Sequence, residues 1–317
     1  MIDATILIPT HAHADLLPFT LRSALAQSGV DIEVFVVGDG VTDETRDALR
    51  PFLADPRVRF FDNPKGERHG EAHRHAALGQ ANGRAVCYLS DDDLLLQDHV
   101  AEMLHLLDDA DFAHSAPVYV EHDGSLAFMP IDLARPDYRA MLAQGRWNAI
   151  GLTGAAHTLA AYRRLPIGWH PAPEDVWTDL HMWRQFLTLP GFRGVTGSRV
   201  TAFTFPSPVR THLASGERAD ELARWERRLQ DPVTRSELAR EADAAARRAA
   251  ADYRAHAYHL EQLHAAAEEH AAAAEEKRAL LQQELADVQA TRTWRVRNAL
   301  VRIRPLRALL ARSNAAR

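Results

Sequence analysis

The 317-residue chain has a single cysteine, Cys87, which lies within an apolar run. An intrachain disulfide and a cysteine-based metal cluster are therefore excluded, and we expect Cys87 to be a small core residue. The chain also lacks an apolar run long enough to cross a bilayer, and it lacks an N-terminal basic segment followed by an apolar one. We therefore expect neither a signal peptide nor a membrane-spanning helix, and a cytoplasmic protein.

Lysine is almost absent, because it occurs only at Lys65 and Lys277, and arginine carries nearly all the positive charge. The net charge of −6 gives no overall attraction to nucleic acid, so we expect no such partner. Charge is uneven along the chain, since the last 26 residues contain eight arginines and no acidic residue. Apolar residues make up 46% of the sequence, which is enough for a sizeable core.

Apolar runs and amphipathic segments alternate over the first 110 residues. Strands are predicted at 4–9, 33–37, 58–61 and 85–89, with helices at 16–27, 42–53, 70–82 and 97–108. This alternation is typical of an α/β protein with a mostly parallel sheet flanked by helices. Ligands bind such sheets beyond the carboxyl ends of the strands. Three of these ends carry polar residues: Pro9-Thr10-His11, Asp39-Gly40 and Asp91-Asp92-Asp93.

The acidic run Asp91-Asp92-Asp93 is the most informative of these three features. Three adjacent carboxylates repel one another, and a divalent cation removes that cost. Mn²⁺ and Mg²⁺ prefer oxygen ligands and are often held by one or two carboxylates together with substrate phosphates. The alternative is an acidic cap at a helix N-terminus, but a cap requires one acid rather than three. The run therefore predicts a Mn²⁺ or Mg²⁺ site.

Several segments, taken in order, resemble a known family. They are Ile8-Pro9-Thr10-His11, Gln27, the run Val36 to Asp43, the run Arg68 to Ala76, and Leu89 to Asp93. Their order and spacing resemble the nucleotide-binding half of the family 2 glycosyltransferases, which have the GT-A fold. The resemblance covers residues 4–110 and extends less well to about 215. It departs from the family at Gly38, where an aspartate is usual, and at Val41, where a serine is usual.

The resemblance implies a role for each matching position. Thr10 and Asp39 would contact the nucleotide base, and Pro9 and His11 would shape that pocket. Arg68 or Arg74 would approach the base or the diphosphate. Asp91 would face the ribose, while Asp92 or Asp93 would bind the metal that bridges the phosphates. The donor would be a UDP- or dTDP-sugar.

A second acidic segment, Pro173 to Trp183, also matches the family's spacing. The resemblance implies that Asp179 is the general base of an inverting transfer, taking the proton of the acceptor hydroxyl. The glutamate that usually precedes it is Thr178 here, so Glu174 and Asp175 are alternatives. A helix cap at Thr178 or Asp179 is the structural alternative.

Two further side chains are candidates for the same site. His212 follows a predicted strand at 199–205, and some family members place a histidine near there as a third metal ligand; a loop histidine is the alternative. Trp147 is a candidate for the acceptor side, with core packing as its alternative. Other elements predicted in this half are a strand at 112–120 and a helix at 178–189.

The sequence predicts three domains. Residues 1–215 form the GT-A domain, with a nucleotide-sugar half at 1–110 and an acceptor half at 111–215. Residues 216–290 form a helical extension, with one long helix over 233–290 whose heptads offer a weak coiled-coil seam for a homo-oligomer. Residues 291–317 form a basic amphipathic tail, in which 292–310 would suit the inner face of an anionic membrane.

The resulting hypothesis is an inverting, metal-dependent glycosyltransferase that acts on a saccharide or lipid-linked acceptor in cell-surface polysaccharide or glycoconjugate synthesis. One alternative is a sugar nucleotidyltransferase. Those enzymes open with a glycine-rich basic loop, whereas this chain has Pro9-Thr10-His11-Ala12-His13. The other alternative is a module that kept the fold, lost activity and acts through its helical tail. The retention of both acidic segments argues against it.

Overall fold

A computed structural model describes residues 1–129, 131–145 and 148–302. Within these ranges, side chains are described except at 117, 243, 246, 250, 252–265 and 301–302. The chain divides into two compact units, Met1–Ala251 and Asp252–Arg317.

The elements of the described residues largely follow the predicted order. The strands are β1 (Ala4–Thr10), β2 (Ile32–Asp39), β3 (Val58–Asn63), β4 (Ala85–Tyr88), β5 (Leu94–Leu95), β6 (Phe112–His114), β7 (Pro117–Val120), β8 (Leu126–Phe128), β9 (Ala155–Thr158), β10 (Gly194–Thr196) and β11 (Ala202–Thr204). The helices are α1 (Leu17–Leu25), α2 (Asp43–Leu49), α3 (Glu71–Leu78), α4 (His99–Leu106), α5 (Pro136–Gln144), α6 (Leu159–Tyr162), α7 (Thr178–Leu187), α8 (Ser215–Gln230), α9 (Pro232–Ala290) and α10 (Arg292–Arg302). Single 3₁₀ turns lie at Arg50–Ala54 and Ser207–Arg210.

The larger sheet has the strand order β10-β6-β9-β4-β1-β2-β3. Its half formed by β4, β1, β2 and β3 is parallel, which confirms the predicted mixed α/β class. Strands β1, β2 and β4 are almost entirely buried because helices cover the sheet, and this burial explains their unbroken apolar runs. Helix α1, for example, buries Leu17, Leu21 and Ala24, which recur at helical spacing on one face.

Strand β9 was not predicted, and it runs antiparallel between β4 and β6 in the larger sheet. The predicted single strand at 112–120 is in fact two strands in different sheets. Strand β6 belongs to the larger sheet, whereas β7 belongs to a smaller one with the order β5-β11-β7-β8. Pro117 begins β7, and because proline has no N–H it is tolerated at the first position of a strand but not within a ladder.

Helix α8 packs on the smaller sheet and extends the first unit beyond the predicted boundary at residue 215. Its Leu222, Trp225 and Leu229 share a buried apolar cluster with Phe203 and Phe205 around β11. The buried guanidinium of Arg210 donates from Nε and Nη2 to the carboxylate of Glu221, at 2.7 Å for each bond. Apolar burial and this paired charge together fix α8 against the domain.

The second unit contains most of α9 and all of α10. The long helix predicted over 233–290 is confirmed as α9, whose residues 266–290 are exposed in the single chain. Helix α10 carries the first part of the predicted basic tail, with Val296 and Leu300 exposed. The rest of that tail, 303–317, lies outside the described residues. No helix among those described is both long and apolar enough to cross a membrane. The coiled-coil partner and the membrane contact stay predictions.

Candidate functional site

A cavity of about 860 Å³ opens at the carboxyl ends of β1, β2 and β4, where the sequence places the ligand site. This volume suits a small-molecule ligand, for which pockets of roughly 300–1,000 Å³ are typical. Most of the candidate residues line it together: Pro9, Thr10, His11, Asp39, Arg68, Arg74, Asp91, Asp92, Glu174, Asp175 and Asp179. Residues far apart in sequence therefore converge on one cavity. Asp93 and His212 do not line it.

The acidic corner of the cavity is formed by His13, just beyond β1, and by Asp91 and Asp92, beyond β4. One imidazole nitrogen and one oxygen from each carboxylate lie within 4.8 Å of one another. The Nδ1 of His13 is 2.8 Å from Oδ1 of Asp91. Carboxylate oxygen and imidazole nitrogen are ligands that Mn²⁺ accepts, and Mg²⁺ prefers the carboxylates. These three residues therefore fit a divalent cation.

The electrostatics of this corner also favour a cation. Burial raises the pKa of Asp92, and the charge of Asp91 raises it further, against hydrogen bonding from Ser207 and the charges of His13 and Arg218. The hydrogen bond to Asp91 raises the pKa of His13, while burial lowers it. Negative charge is thus concentrated in this corner, and a divalent cation would offset it.

Asp93 is the first of two predicted metal ligands that the structure places elsewhere. Its side chain is 1% exposed. Oδ2 accepts a 2.5 Å hydrogen bond from Thr153 Oγ1, and Oδ1 accepts a 2.7 Å bond from the backbone N of Phe205. Burial and the charge of Asp92 raise the pKa of Asp93 well above its ordinary value, against those two hydrogen bonds. Asp93 thus connects the acidic run to the smaller sheet and does not face the cavity.

His212 is the second predicted metal ligand that the structure places elsewhere. It is exposed after the 3₁₀ turn, and its ring lies 6.4 Å from that of His122, measured between centroids. The imidazole in the acidic corner comes instead from His13. A histidine ligand stays a prediction, and His13 in the loop after β1, rather than His212, lies beside Asp91 and Asp92.

Asp39, the last residue of β2, also lines the cavity and is surrounded by donors. Its Oδ2 accepts a 2.7 Å hydrogen bond from Lys65 Nζ, and its Oδ1 accepts one of 2.5 Å from the backbone N of Gly66. Burial tends to raise the pKa of Asp39, but these two donors outweigh it and lower the pKa. The backbone oxygen of Asp39 lies 2.7 Å from His11 Nδ1. Gly70 approaches this carboxylate so closely, at a φ of 70°, that a Cβ would lie 2.7 Å from Cγ of Asp39.

Two buried polar groups line the cavity with unused hydrogen-bonding capacity. Thr10 Oγ1, and Nε and Nη1 of Arg74, are buried and have no hydrogen-bond partner among the described residues. The guanidinium of Arg74 is held from behind, since its carbon lies 4.7 Å from the ring centroid of Trp169 and its Nη2 donates to the backbone oxygen of His69 at 3.0 Å. Buried donors are normally satisfied. These atoms are therefore positioned for a polar ligand.

Thr178, which replaces the expected glutamate, is connected to a different carboxylate. Its Oγ1 donates to Oε1 of Glu71 at 3.0 Å, and the backbone N of His69 donates to Oε2 at 3.0 Å. Glu71 is fully buried at the start of α3. A carboxylate thus lies beside Asp179 despite the substitution at 178, and the contact fastens α7 to α3.

Asp179 lies in the first turn of α7 and lines the cavity. Burial raises its pKa to about 6; Arg74 opposes this shift, Glu71 adds to it, and a hydrogen bond from the backbone of Leu152 opposes it. The helix that carries it is fixed by the indole of Trp183, whose Nε1 donates to the backbone oxygen of Ile150 at 2.9 Å. A general base works best when its pKa is near the operating pH, and Asp179 meets that condition.

The mouth of the cavity on the α7 side carries Glu174, Asp175 and Trp177. All three are exposed, and the indole of Trp177 is 62% exposed although it lines the cavity. An exposed aromatic beside carboxylates suits the flat face and hydroxyl groups of a sugar. Trp147, the aromatic considered for this role from sequence, lies outside the described residues.

Among the residues at the site that were not assigned a role from sequence are His13, Lys65, Glu71, Ser207 and Arg218. His13 lies two residues beyond a candidate and was recognisable as a metal ligand type at a strand end. Lys65 is one of only two lysines. The remaining three reach the site through contacts over long stretches of chain, for which the sequence offers no local signal.

Solved structures share this architecture. S. aureus TarS 1-349 matches with a TM-score of 0.52 at 16% identity, over 71% of this chain and 64% of that chain. Its complex with UDP-GlcNAc matches with a TM-score of 0.51 at 15% identity, over 65% and 59%. At these identities the likeness establishes the fold, which is the mixed α/β GT-A arrangement that the sequence resemblance implied.

Curated relatives match by sequence over part of their length. The succinoglycan biosynthesis protein ExoO of Rhizobium meliloti is 37% identical over 34% of this chain and 30% of its own length. A Campylobacter jejuni GalNAc(5)-diNAcBac-PP-undecaprenol beta-1,3-glucosyltransferase is 26% identical over 39% and 40%. The Escherichia coli UDP-Glc:alpha-D-GlcNAc-diphosphoundecaprenol beta-1,3-glucosyltransferase WfaP is 27% identical over 44% and 55%. The match thus spans only 30–55% of the length of these three relatives.

The sequence model of Glycosyl transferase family 2 matches residues 5–167, just over half of the chain. The matched range includes the strand ends that carry Thr10, Asp39 and the acidic run, and it ends before α7. The cavity, the fold and this match agree: the chain belongs to glycosyl transferase family 2.

Proposed function

We propose that this protein transfers a sugar from a UDP- or dTDP-sugar to a hydroxyl of a saccharide or lipid-linked acceptor, with inversion at the anomeric carbon and with Mn²⁺ or Mg²⁺ bound. The single observation that carries the proposal is the shared cavity. In this cavity the acidic corner, basic side chains and the Asp179 carboxylate, with its pKa of about 6, lie together. A nucleoside diphosphate sugar needs the first two, and an attacking hydroxyl needs the third.

The base of the donor would lie near Thr10 and Asp39. Uracil and thymine both present an N3–H donor, and a carboxylate can accept more hydrogen bonds than the two that Asp39 takes from Lys65 and Gly66. The buried Thr10 Oγ1, which lacks a partner among the described residues, supplies a second polar contact. Cytosine carries no N3–H, so a cytidine nucleotide would bind less well.

The diphosphate would lie between the basic side chains and the acidic corner. Arg74, with two unused buried donors, and Arg68 offer charge-assisted hydrogen bonds to phosphate oxygens. His13, Asp91 and Asp92 would hold the divalent cation, which supplies positive charge to offset the charge of the leaving diphosphate. The leaving group is thus surrounded by fixed positive charge.

Asp179 would accept the proton of the acceptor hydroxyl as that oxygen forms its bond to the anomeric carbon. The bond between the anomeric carbon and the diphosphate oxygen breaks on the opposite face, and its electron pair leaves with the nucleoside diphosphate. A single displacement of this kind inverts the anomeric centre. Trp177, Glu174 and Asp175 at the mouth would position the acceptor sugar.

A donor and acceptor panel tests this proposal. The purified chain is incubated with UDP-, dTDP-, GDP- and CDP-sugars, with free or lipid-linked saccharides, and with Mn²⁺, Mg²⁺ or chelator, and the released nucleotide is measured. We expect turnover with uridine or thymidine donors only, dependent on the cation. Retention of full turnover in chelator, or equal turnover of CDP-sugars, would contradict the proposal.

The same panel separates the alternatives. A module that kept the fold and lost activity would turn over none of the donors. A sugar nucleotidyltransferase would release pyrophosphate from a nucleoside triphosphate and a sugar phosphate, and would not release UDP from a UDP-sugar. A preference for lipid-linked over free saccharide would support a role for the basic tail at an anionic membrane.

A further inference from the structure

Arg218, on α8, forms an ion pair with a candidate metal ligand. Its Nη2 lies 2.7 Å from Oδ2 of Asp92, and the two side chains are 13% and 10% exposed. Ser207 Oγ donates to the same oxygen at 2.7 Å, and Nη2 of Arg218 also donates to that hydroxyl at 3.1 Å. Both Ser207 and Arg218 lie beyond the residues 5–167 that match the family.

This ion pair is not needed to hold α8 in place. The helix is already anchored by the buried pair between Arg210 and Glu221 and by the packing of Leu222 and Trp225. It makes a further, exposed pair through Arg22 and Glu226. Charge is costly to bury unless it is compensated, and Asp92 compensates the charge of the nearly buried Arg218.

A divalent cation held by His13, Asp91 and Asp92 would share the Asp92 carboxylate with Arg218. With the cation on His13, Asp91 and Asp92, the guanidinium would face a double positive charge a few ångströms away, which is strongly unfavourable in a partly buried site. An anion between the two charges removes this repulsion. The diphosphate of a nucleotide sugar is the anion that the cavity is built to take, and a guanidinium binds phosphate oxygens well.

We propose that Arg218 neutralises Asp92 while the cation site is empty and binds the diphosphate of the donor once the cation and nucleotide are in place. The inference rests on the proposed function, since it takes the donor to be a nucleoside diphosphate sugar. It makes cation and nucleotide binding mutually dependent, because the cation displaces Arg218 from Asp92 and the nucleotide gives the displaced guanidinium a new partner. Helix α8, outside the matched family region, thereby becomes part of the donor site.

Binding measurements on the full chain test this inference without relying on turnover. Mn²⁺ affinity is measured alone and UDP affinity is measured with saturating Mn²⁺, both by calorimetry, for the wild type and for Arg218→Gln. We expect the variant to bind Mn²⁺ alone several-fold more tightly and to bind UDP about tenfold more weakly, a loss of coupling of the size usual between linked sites. The two effects have opposite signs, which a general structural defect does not produce.

Two variants serve as controls. Arg22→Gln breaks the exposed pair on α8 without touching Asp92 and should leave both affinities unchanged. Arg218→Lys keeps the charge and should bind Mn²⁺ as the wild type does. Circular dichroism verifies that each variant is folded.

The possible failures are distinguishable. If the wild type binds Mn²⁺ and UDP but Arg218→Gln changes neither affinity, or weakens both, the role of Arg218 is overturned and the proposed function stands. If the wild type binds UDP but not Mn²⁺, both the cation site and the exchange at Arg218 are overturned. If it binds neither ligand, the proposed function itself fails.

Discussion

The two walls of the cavity come from parts of the chain that are organised differently. The first wall is lined by residues between Pro9 and Asp92, and the second by residues between Leu152 and Ser207. First-wall residues stand at or just beyond the ends of parallel strands, in the loop before α3 or, for Arg74, within α3. Second-wall residues stand on a loop, at the start of α7 and in a 3₁₀ turn, held by contacts such as that of Thr178 with Glu71. Strand order fixes the first wall, whereas side-chain contacts between distant segments fix the second.

This difference between the walls agrees with the proposed roles, in which the first wall binds the donor and the second wall serves the acceptor. The first wall contains the acidic corner, Asp39 and the Arg74 donors that have no partner among the described residues, which together suit a nucleoside diphosphate. The second wall contains Asp179 and Trp177, which suit an acceptor hydroxyl and a sugar face. If the division holds, variants of the first wall lose ligand binding, and variants of the second lose transfer while they still bind nucleotide.

The largest effect is expected for Asp179→Asn, which removes the proposed base and keeps the shape. Transfer should fall by about 10²–10⁴-fold, the usual contribution of general base catalysis. UDP affinity, measured by calorimetry with Mn²⁺, should stay within about threefold of the wild type, because the change lies on the second wall. The wild-type kcat/KM should fall about tenfold per pH unit below pH 6, as Asp179 with its pKa of about 6 takes up a proton.

Stability and neighbouring carboxylates provide the controls for Asp179. Since burial raises the pKa of Asp179, the folded state binds more protons than the unfolded state between the ordinary aspartate pKa and about 6, and the carboxyl's contribution to stability falls as pH rises through that window. Asp179→Asn should therefore not lower the thermal midpoint at pH 7. Glu174→Gln and Asp175→Asn change exposed carboxylates of the same wall and should lower transfer far less than Asp179→Asn, through weaker acceptor binding. If either of these variants lost as much transfer activity as Asp179→Asn, that residue would be the general base instead.

The first wall was accessible from sequence for a physical reason. Buried parallel strands appear in the sequence as apolar runs, and their carboxyl ends meet at one edge of the sheet. The polar residues Thr10, Asp39 and Asp91, at or just beyond these ends, were therefore expected to lie near one another. The same reasoning gave the elements β1 to β4 within a few residues. It failed at β9, whose short run Ala155–Thr158 carries no strong pattern and enters the sheet antiparallel.

The contacts that hold the second wall could not be predicted from the sequence. Asp179 was found through family spacing alone, and no local pattern indicates that Glu71 lies beside it or that Arg74 faces it. Adjacent side chains also differ in their surroundings. Asp92 is part of the acidic corner, whereas Asp93 accepts hydrogen bonds from Thr153 and Phe205. Which of two neighbouring carboxylates faces a ligand depends on the backbone turn after β4, and this turn is stabilised by residues 60 and 112 positions away.

Asp92 and Asp93 allow the next largest test, because they are neighbours with different surroundings. Asp92→Asn should weaken Mn²⁺ binding at least about tenfold, as even outer-shell changes at metal sites cost that much, and it keeps an amide oxygen to which Ser207 and Arg218 can donate. Asp93→Ala leaves Thr153 Oγ1 and the backbone N of Phe205 without an acceptor. It should lower the free energy of unfolding by about 1–3 kcal/mol and leave Mn²⁺ affinity within about threefold.

Calorimetry with Mn²⁺ and urea denaturation measure the two quantities for both variants. The opposite result, in which Asp93→Ala abolishes Mn²⁺ binding in a folded protein and Asp92→Asn does not, would restore Asp93 as the direct ligand. It would also show that the backbone turn after β4 changes when the cation binds.

The smallest expected effect belongs to Trp177→Ala at the mouth of the second wall. Losing a stacking surface for a sugar should raise the acceptor KM by about three- to tenfold, the range that aromatic contacts contribute beyond area burial. Donor hydrolysis without acceptor should not change, and stability should change by less than about 0.5 kcal/mol because the indole is 62% exposed. Trp177→Phe should recover most of the acceptor KM, since it keeps a flat face.

The matched control for Trp177 is Leu53→Ala, which removes an exposed apolar side chain that does not line the cavity and should leave every parameter unchanged. Steady-state kinetics use the acceptor that gives the highest turnover in the donor and acceptor panel. An unchanged acceptor KM in Trp177→Ala, with Asp179→Asn still inactive, would mean that the second wall supplies the base but not the acceptor contacts. Acceptor recognition would then lie in segments beyond this cavity, and the division between the walls would hold for catalysis alone.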